Sequence, residues 1–257
     1  MPGSRCPCGC RTPADHLPSA QRCHNGGGAA DFTGHRDSCL SCEICHHRKE
    51  KRFCLAIHGR ICPQCCGQQR EVTLDCPSEC PYLVQARQHE KPRPSSELPT
   101  SEMFPQVEIE EPFLENNEHL ITGLMATIAG VTRSNHSLKD REVLAALGLA
   151  TRYYQTLASS GLVYEEAVTD LGQQAIVNAL HQAVQEFREL EQRHRGHTTL
   201  RDGDVLKALV FIVRLGHTFT SGRPLARGFV DSLHLRFLGR QSAIAAADEP
   251  SGQIILP

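Results

Sequence analysis

All the cysteines of this chain lie in its first third. The chain has 257 residues and 13 cysteines, and the last cysteine is Cys80. The cysteine count is odd, and the N-terminus lacks the apolar stretch that directs export, so a disulfide framework is a poor interpretation. Closely spaced cysteine pairs in a chain with no export signal indicate metal ligation instead. The residues after Cys80 must form their own core without thiol chemistry.

Eight cysteine and histidine residues follow one another as four short-spaced pairs. Zinc binds four tetrahedral nitrogen or sulfur ligands, and a short-spaced pair lets one local turn supply two of them. Eight ligands therefore predict two closed zinc sites, which are structural because no coordination position stays open for a substrate. The predicted ligands are Cys42, Cys45, Cys54, His58, Cys62, Cys65, Cys76 and Cys80.

The order and spacing of these pairs resemble the cross-brace double-zinc fingers, especially the B-box type. In that family the first and third pairs bind one ion, and the second and fourth pairs bind the other. The resemblance implies one site made of Cys42, Cys45, Cys62 and Cys65, and another made of Cys54, His58, Cys76 and Cys80. MYND and HIT-type fingers are nearly as similar, and in them Cys62 pairs with Cys66, which makes Cys66 an alternative ligand. The last pair departs from the B-box pattern, which usually has histidines there.

Composition divides the chain into five segments. Residues 1–37 are rich in Gly, Pro, Ala and Arg and predict a disordered leader. Residues 38–90 hold the double-zinc module, in which the turn at Cys62 is typical of a zinc knuckle and the residues after Cys80 favour a short helix. Residues 91–112 carry five prolines and several glutamates, which is typical of an extended acidic linker. Residues 113–240 predict an all-α bundle, and residues 241–257 a mobile tail.

Apolar periodicity and helix-end signals predict about five helices in the bundle. Ser137, with Asp140 three residues on, predicts the start of the second helix. Pro224 is expected in the first turn of the fifth. The fourth, from Asp202 to Phe219, is apolar nearly all round and is expected to be central and buried. The predicted fold is therefore a small zinc-stabilised module (zinc knuckle plus short helix) followed by an all-α helical bundle.

Two groups of basic residues are candidate contacts for a polyanion. Lysine and arginine clusters bind phosphates without regard to sequence, although a solvated surface would show the same residues. Only Phe53 accompanies the first group as an aromatic that could stack on a base. The candidate residues are Arg48, Lys49, Lys51 and Arg52 in the finger, and Arg223 and Arg227 in the bundle.

No catalytic signature occurs after the cysteine module, so the sequence predicts no catalytic residue. The longest apolar run, Val205–Val213, is interrupted by Lys207 and is too short for a membrane span. We expect a non-enzymatic, cytoplasmic, zinc-binding interaction or adaptor protein that binds a protein partner through its helical domain. A nucleic-acid-associated protein that uses the two basic groups is the alternative. An enzyme with its active site in the helical bundle is the third hypothesis.

Overall fold

In a computed structural model of the chain, the described residues are 41–90, 100–163 and 167–247. The predicted leader and the last ten residues of the predicted tail lie outside the described residues. Residues 91–99 of the predicted linker also lie outside them. The described residues form two compact units, which divide between Gln68 and Gln69. This division falls inside the segment that the sequence predicts as one module.

The first unit contains a small antiparallel hairpin followed by a short helix. Strand β1 covers Arg52–Cys54, strand β2 covers Gly59–Ile61, and the first helix, α1, covers Pro63–Gln69. The side chains of Cys54 on β1 and Ile61 on β2 are buried, whereas the side chain of Phe53, next to Cys54 on β1, is exposed. Pro63 begins α1 because proline suits the first turn of a helix, where no backbone N–H is needed.

Gly59 lets the chain before the hairpin lie against β2. The Glu43 carboxylate accepts a hydrogen bond from the backbone N–H of Arg60 at 2.8 Å, and the Glu43 N–H donates to the Arg60 carbonyl at 3.0 Å. A Cβ atom on Gly59 would overlap the Glu43 carboxylate, so any larger residue would displace it. The segment that carries the first cysteine pair is thereby fixed to the hairpin.

The regular elements described in the second unit are helices, as the sequence predicts for residues 113–240. A short helix follows Cys80, and five long helices follow the linker. The elements are α2 (Pro81–His89), a 3-10 turn (Thr100–Glu102), α3 (Glu111–Asn116), α4 (Glu118–Ser134), α5 (Asp140–Ser160), α6 (Leu171–Arg195), α7 (Asp202–Phe219) and α8 (Gly228–Ala247).

Helix α7 lies at the centre of this unit, which confirms the prediction of a central buried helix. It packs on α4, α5 and α8, and its buried side chains include Val205, Leu209 and Ile212. It approaches α5 closely at Gly216, where a Cβ atom would lie 2.6 Å from Leu144. This glycine therefore sets the separation of the two helices.

Two predicted helix starts are wrong, and both errors concern the role of Asp140. Helix α5 begins at Asp140 rather than Ser137, because the Glu142 side chain accepts the Lys139 N–H at 3.0 Å and caps the helix there. The Asp140 carboxylate, freed from that role, accepts the N–H groups of Phe229 and Val230 at 3.1 and 3.0 Å. Helix α8 therefore begins at Gly228 rather than near Pro224, and it continues to Ala247.

Residues 69–90 pack on the helices of the second unit. Leu74 and Leu83 are buried, and the Arg87 guanidinium bridges Glu71 at 2.8 Å and Asp231 of α8 at 2.7 Å. Glu71 is almost fully buried, with its carbonyl accepting the Leu225 N–H at 2.8 Å. Residues 69–90, which the sequence assigns to the cysteine module, are thus part of the helical unit.

Candidate metal centre

Four cysteine thiols of the first unit lie together. The Sγ atoms of Cys42, Cys45, Cys62 and Cys65 all lie within 4.8 Å of one another. Three of these cysteines are buried, and Cys45 is partly exposed. They are the first and third of the four pairs that the sequence identifies. Among the described residues, this is the only group of three or more candidate ligands placed so closely.

Local backbone geometry brings the two pairs together. The first pair sits in a tight turn, in which the Cys42 carbonyl accepts the His46 N–H and the Cys42 N–H donates to the Arg48 carbonyl, both at 2.8 Å. His46 takes a positive φ of 55° to close that turn. Cys62 of the third pair follows β2 directly, and Cys65 lies in the first turn of α1. The hairpin therefore carries the chain back so that one turn faces the other.

Hydrogen-bond donors surround the sulfur atoms. The backbone N–H of Cys65 donates to the Cys62 Sγ at 3.4 Å, which is the N–H···S contact that the knuckle sequence predicts. The Arg48 Nη1 atom lies 3.7 Å from the Cys62 Sγ, 3.8 Å from Cys45 and 3.9 Å from Cys65. The Cys65 N–H lowers the pKa of the Cys62 thiol to about 6, and the Arg48 guanidinium adds to this effect.

The Cys65 thiol needs a cation to become a thiolate. Burial raises the pKa of the Cys65 thiol to about 12, so this thiol stays protonated in the absence of a metal. A bound metal ion removes that proton, because a coordinating thiol is deprotonated. One zinc ion leaves two of the four thiolate charges unbalanced, and the Arg48 guanidinium offsets one of them.

The four thiols fit a tetrahedral zinc ion. A Zn–S bond of about 2.3 Å places the sulfur atoms about 3.8 Å apart in a tetrahedron, and the observed limit of 4.8 Å is compatible with this. Four sulfur ligands also match the soft donors that zinc takes in structural sites. With all four positions filled by cysteine, the site has no coordination position for a substrate or water. The arrangement can hold a structural metal ion.

The other four predicted ligands lie in both units. Cys54 ends β1 and is buried, whereas His58 is exposed in the hairpin turn with a positive φ of 51°. Cys76 and Cys80 are buried in the second unit, before α2. The described residues show no second cluster of ligands, so the second zinc site stays a prediction.

Cys66, the alternative ligand, lies outside the four-thiol group. It is buried in α1, and its Sγ accepts a hydrogen bond from the Arg52 Nη1 at 3.3 Å. The structure groups Cys65 with the other three thiols instead. The sequence alone leaves these two adjacent cysteines as alternatives, because both have finger-like spacing from Cys62.

The candidate polyanion contacts have different surroundings. In the finger, Arg48 and Arg52 point at cysteine sulfurs, whereas Lys49 and Lys51 are exposed. In the loop before α8, the Arg223 guanidinium contacts the Arg70 carbonyl at 3.3 Å and Glu90 at 3.7 Å.

Arg227, in the same loop, donates to the His136 carbonyl at 2.6 Å and to the Leu138 carbonyl at 3.1 Å. Arg48, Arg52, Arg223 and Arg227 therefore have partners within the protein. Sequence reasoning missed the role of Arg48, although its place three residues after Cys45 is a signal that could have pointed to the sulfurs.

No family model, curated protein or solved structure matches this chain. None of the described helices combines the length and the apolar character that crossing a bilayer requires.

Proposed function

We propose that Cys42, Cys45, Cys62 and Cys65 bind one structural zinc ion. The observation that carries this proposal is the closed group of four thiols with hydrogen-bond donors aimed at their sulfurs. A unit of this size buries too little apolar surface to be stable alone, and metal binding supplies the missing free energy. The grouping supports a zinc finger, and the sequence spacing of the pairs supports the proposed cross-brace B-box type, with the MYND and HIT type as the alternative.

A second zinc ion is proposed on Cys54, His58, Cys76 and Cys80. The support for it is the sequence spacing of the second and fourth pairs. The proposed total is therefore two zinc ions per chain, both structural.

The biochemical role proposed for the chain is that of a non-enzymatic, cytoplasmic adaptor that binds a protein partner. A closed thiolate site supports this role because it offers a substrate no coordination position. Exposed apolar side chains are available for a partner, among them Phe53 on β1, which is 50% exposed, and Leu235 on α8, which is 81% exposed. Exposure of such side chains to water is unfavourable, and a partner that covers them lowers the free energy.

Cobalt substitution tests whether the site is closed. Co²⁺ bound by four thiolates gives visible bands of tetrahedral coordination, and an added ligand such as imidazole changes them only if a position is open. We expect bands that imidazole leaves unchanged, and we expect Cys42→Ser to lose the part of them that comes from the four-thiol group. A spectrum that shifts with imidazole would show an open site and support the enzyme hypothesis.

Heparin chromatography separates the adaptor role from nucleic-acid binding. Polyanion contacts make retention depend on salt and on each exposed cation. The adaptor proposal expects the wild-type chain and the double variant Lys49→Gln, Lys51→Gln to elute at the same low salt concentration. Strong retention that the double variant loses would favour the nucleic-acid alternative.

A further inference from the structure

A cavity of about 480 Å³ opens in the second unit beside helices α5 and α7. One face of α5 forms a wall, with Arg141, Ala145, Gly148 and Arg152 at helical spacing. This volume lies within the range of about 300–1,000 Å³ that small-molecule sites in proteins occupy. The cavity lies outside the first unit and shares no residue with the four-thiol group.

The floor of this cavity is apolar. Phe104, from the segment before α3, and Val213, from α7, line it, and both are almost fully buried. Leu144 of α5 lies beside them. When a hydrocarbon chain replaces water on apolar surface of this kind, the free energy falls.

The rim of the cavity is basic. Three arginines line it, whereas Glu102 is the only carboxylate among the lining residues. The Glu102 carboxylate lies 3.5 Å from the Nε2 atom of the buried His217. The lining therefore favours a negatively charged group at the mouth.

The arginines are held by contacts that leave further donors. Arg141 pairs with Glu142, and Arg223 is fixed by the Arg70 carbonyl and Glu90. A guanidinium has five N–H donors, so one or two such contacts do not exhaust it. The Arg152 head lies against Gly148, where a Cβ atom would be 3.4 Å from its Nη1.

We infer that this cavity binds a small amphipathic anion, in which a carboxylate or phosphate group is joined to an apolar chain. The apolar chain lies on Phe104, Leu144 and Val213, and the anionic group meets the Arg152 guanidinium beside Gly148. Guanidinium groups bind both carboxylates and phosphates through paired N–H···O bonds, which is why either head group fits. This inference goes beyond the adaptor role and does not depend on the metal.

Calorimetric titration of the full chain tests the inference with four probes. Decanoate and decyl phosphate carry both features, decanol lacks the charge, and acetate lacks the apolar chain; all are used below their micelle concentrations. We expect saturable binding of decanoate or decyl phosphate, about tenfold or more tighter than that of decanol or acetate. The tighter of the two amphiphiles identifies the preferred head group. Equal binding of decanol, or no saturable binding of either amphiphile, overturns the inference.

Matched variants locate the binding. Ala145→Trp fills the cavity, and Ala158→Trp makes the same change at an exposed position of α5 outside it. Arg152→Gln removes a rim charge, and Arg193→Gln removes an exposed charge on α6. We expect Ala145→Trp and Arg152→Gln each to weaken binding about tenfold or more, and the two controls to leave it unchanged. If Ala145→Trp does not fold, Arg152→Gln decides alone. Equal effects of a variant and its control overturn the inference.

Discussion

The Nη1 atom of Arg48 lies 3.7 Å from the Sγ atom of Cys62 and within 3.9 Å of two further thiols of the same group. A cation in this position stabilises thiolates and opposes their mutual repulsion. Residues around a metal site that contact its ligands commonly change metal affinity when they are replaced. Arg48 is therefore expected to support the metal rather than to meet a partner.

Replacing Arg48 should weaken zinc binding. Arg48→Gln keeps a polar side chain but removes the charge, and we expect the zinc affinity of the full chain to fall about tenfold. Lys51→Gln is the control, because Lys51 is an exposed cation of the same loop. Competition with a coloured chelator measures both affinities. An equal loss in the two variants would mean that general charge, not the contact with sulfur, matters.

The adjacent cysteines Cys65 and Cys66 allow a test of the ligand register. Cys65→Ser should release one zinc ion per chain, because it removes a member of the four-thiol group. Cys66→Ser should keep the metal, because Cys66 is buried against Arg52 outside that group. Elemental analysis of the purified variants gives the result. Release of zinc by Cys66→Ser but not by Cys65→Ser would reverse the assignment.

The second predicted site is tested by the same measurement. If Cys76 and Cys80 bind a second ion, Cys80→Ser lowers the zinc content from two ions to one, and Cys42→Ser lowers it likewise. If the wild-type chain contains one zinc ion and the Cys80→Ser variant retains it, the prediction of a second site is wrong. The two single variants therefore count the sites and assign them.

The sequence predicts best those features that depend on neighbouring residues. Gly161 and Gly196 end α5 and α6 with positive φ values of 69° and 76°, and Asp170 accepts the Gln173 N–H at 2.8 Å to begin α6. These signals lie within a few residues of the helix ends that they set. Cysteine spacing is equally local, which is why it identifies the thiols that the structure brings together.

Features that depend on distant residues were not predictable in this way. Asp140 accepts the N–H groups at the start of α8, some 90 residues along the chain, so Pro224 gave the wrong start. Glu71 reads as an ordinary surface carboxylate, yet the fold buries it against Arg87 and Ser221. Arg48 reads as part of a solvated basic run for the same reason. In each case a partner remote in sequence decides the role.

Glu191 should make stability depend on pH. Burial alone would raise its pKa, but hydrogen bonds from Thr199, Thr198 and the Leu200 N–H outweigh burial and lower the pKa to about 2. The folded chain therefore binds this proton more weakly than the unfolded chain, whose carboxyl has an ordinary pKa of 4.5. The stabilisation is present above pH 4.5 and is lost as the pH falls toward 2.

Chemical denaturation of Glu191→Gln measures this contribution. We expect the variant to lose about 2 kcal/mol of unfolding free energy at pH 7, and the difference from wild type to shrink as the pH falls toward 3. Glu189→Gln is the control on the same helix, because Glu189 is 69% exposed and has only a surface partner. A difference that stays constant with pH would show that the charge of Glu191 is not responsible.

Arg87 should be important for the stability of the second unit. Arg87→Met keeps the length of the side chain but leaves the buried Glu71 carboxylate with Ser221 as its remaining side-chain partner among the contacts described above. Removing one partner of a buried ion pair costs about 3 kcal/mol, because the other charge stays desolvated. Arg193→Met breaks an exposed pair and should cost less than about 1 kcal/mol. Thermal melts followed by circular dichroism distinguish these outcomes, and similar losses would argue against the network.

The division between Gln68 and Gln69 predicts which fragment folds on its own. Residues 69–257 keep Leu74, Leu83 and the Arg87 contacts with the helices, whereas residues 91–257 lose them. Burying a leucine stabilises a protein by about 2 kcal/mol, so the longer fragment should melt cooperatively and at the higher temperature.

Chelation complements the truncation. The helices lie mainly in the second unit, whose core is mostly aliphatic and contains no thiol of the four-thiol group. We therefore expect EDTA to remove the metal from the full chain while most of the far-UV helical signal remains. Fragment 69–257 should show that signal without added zinc. If EDTA abolishes most of the helicity, then the helical unit is not bounded at Gln69. If fragment 91–257 is as stable as fragment 69–257, then residues 69–90 contribute little to the stability of the helical unit.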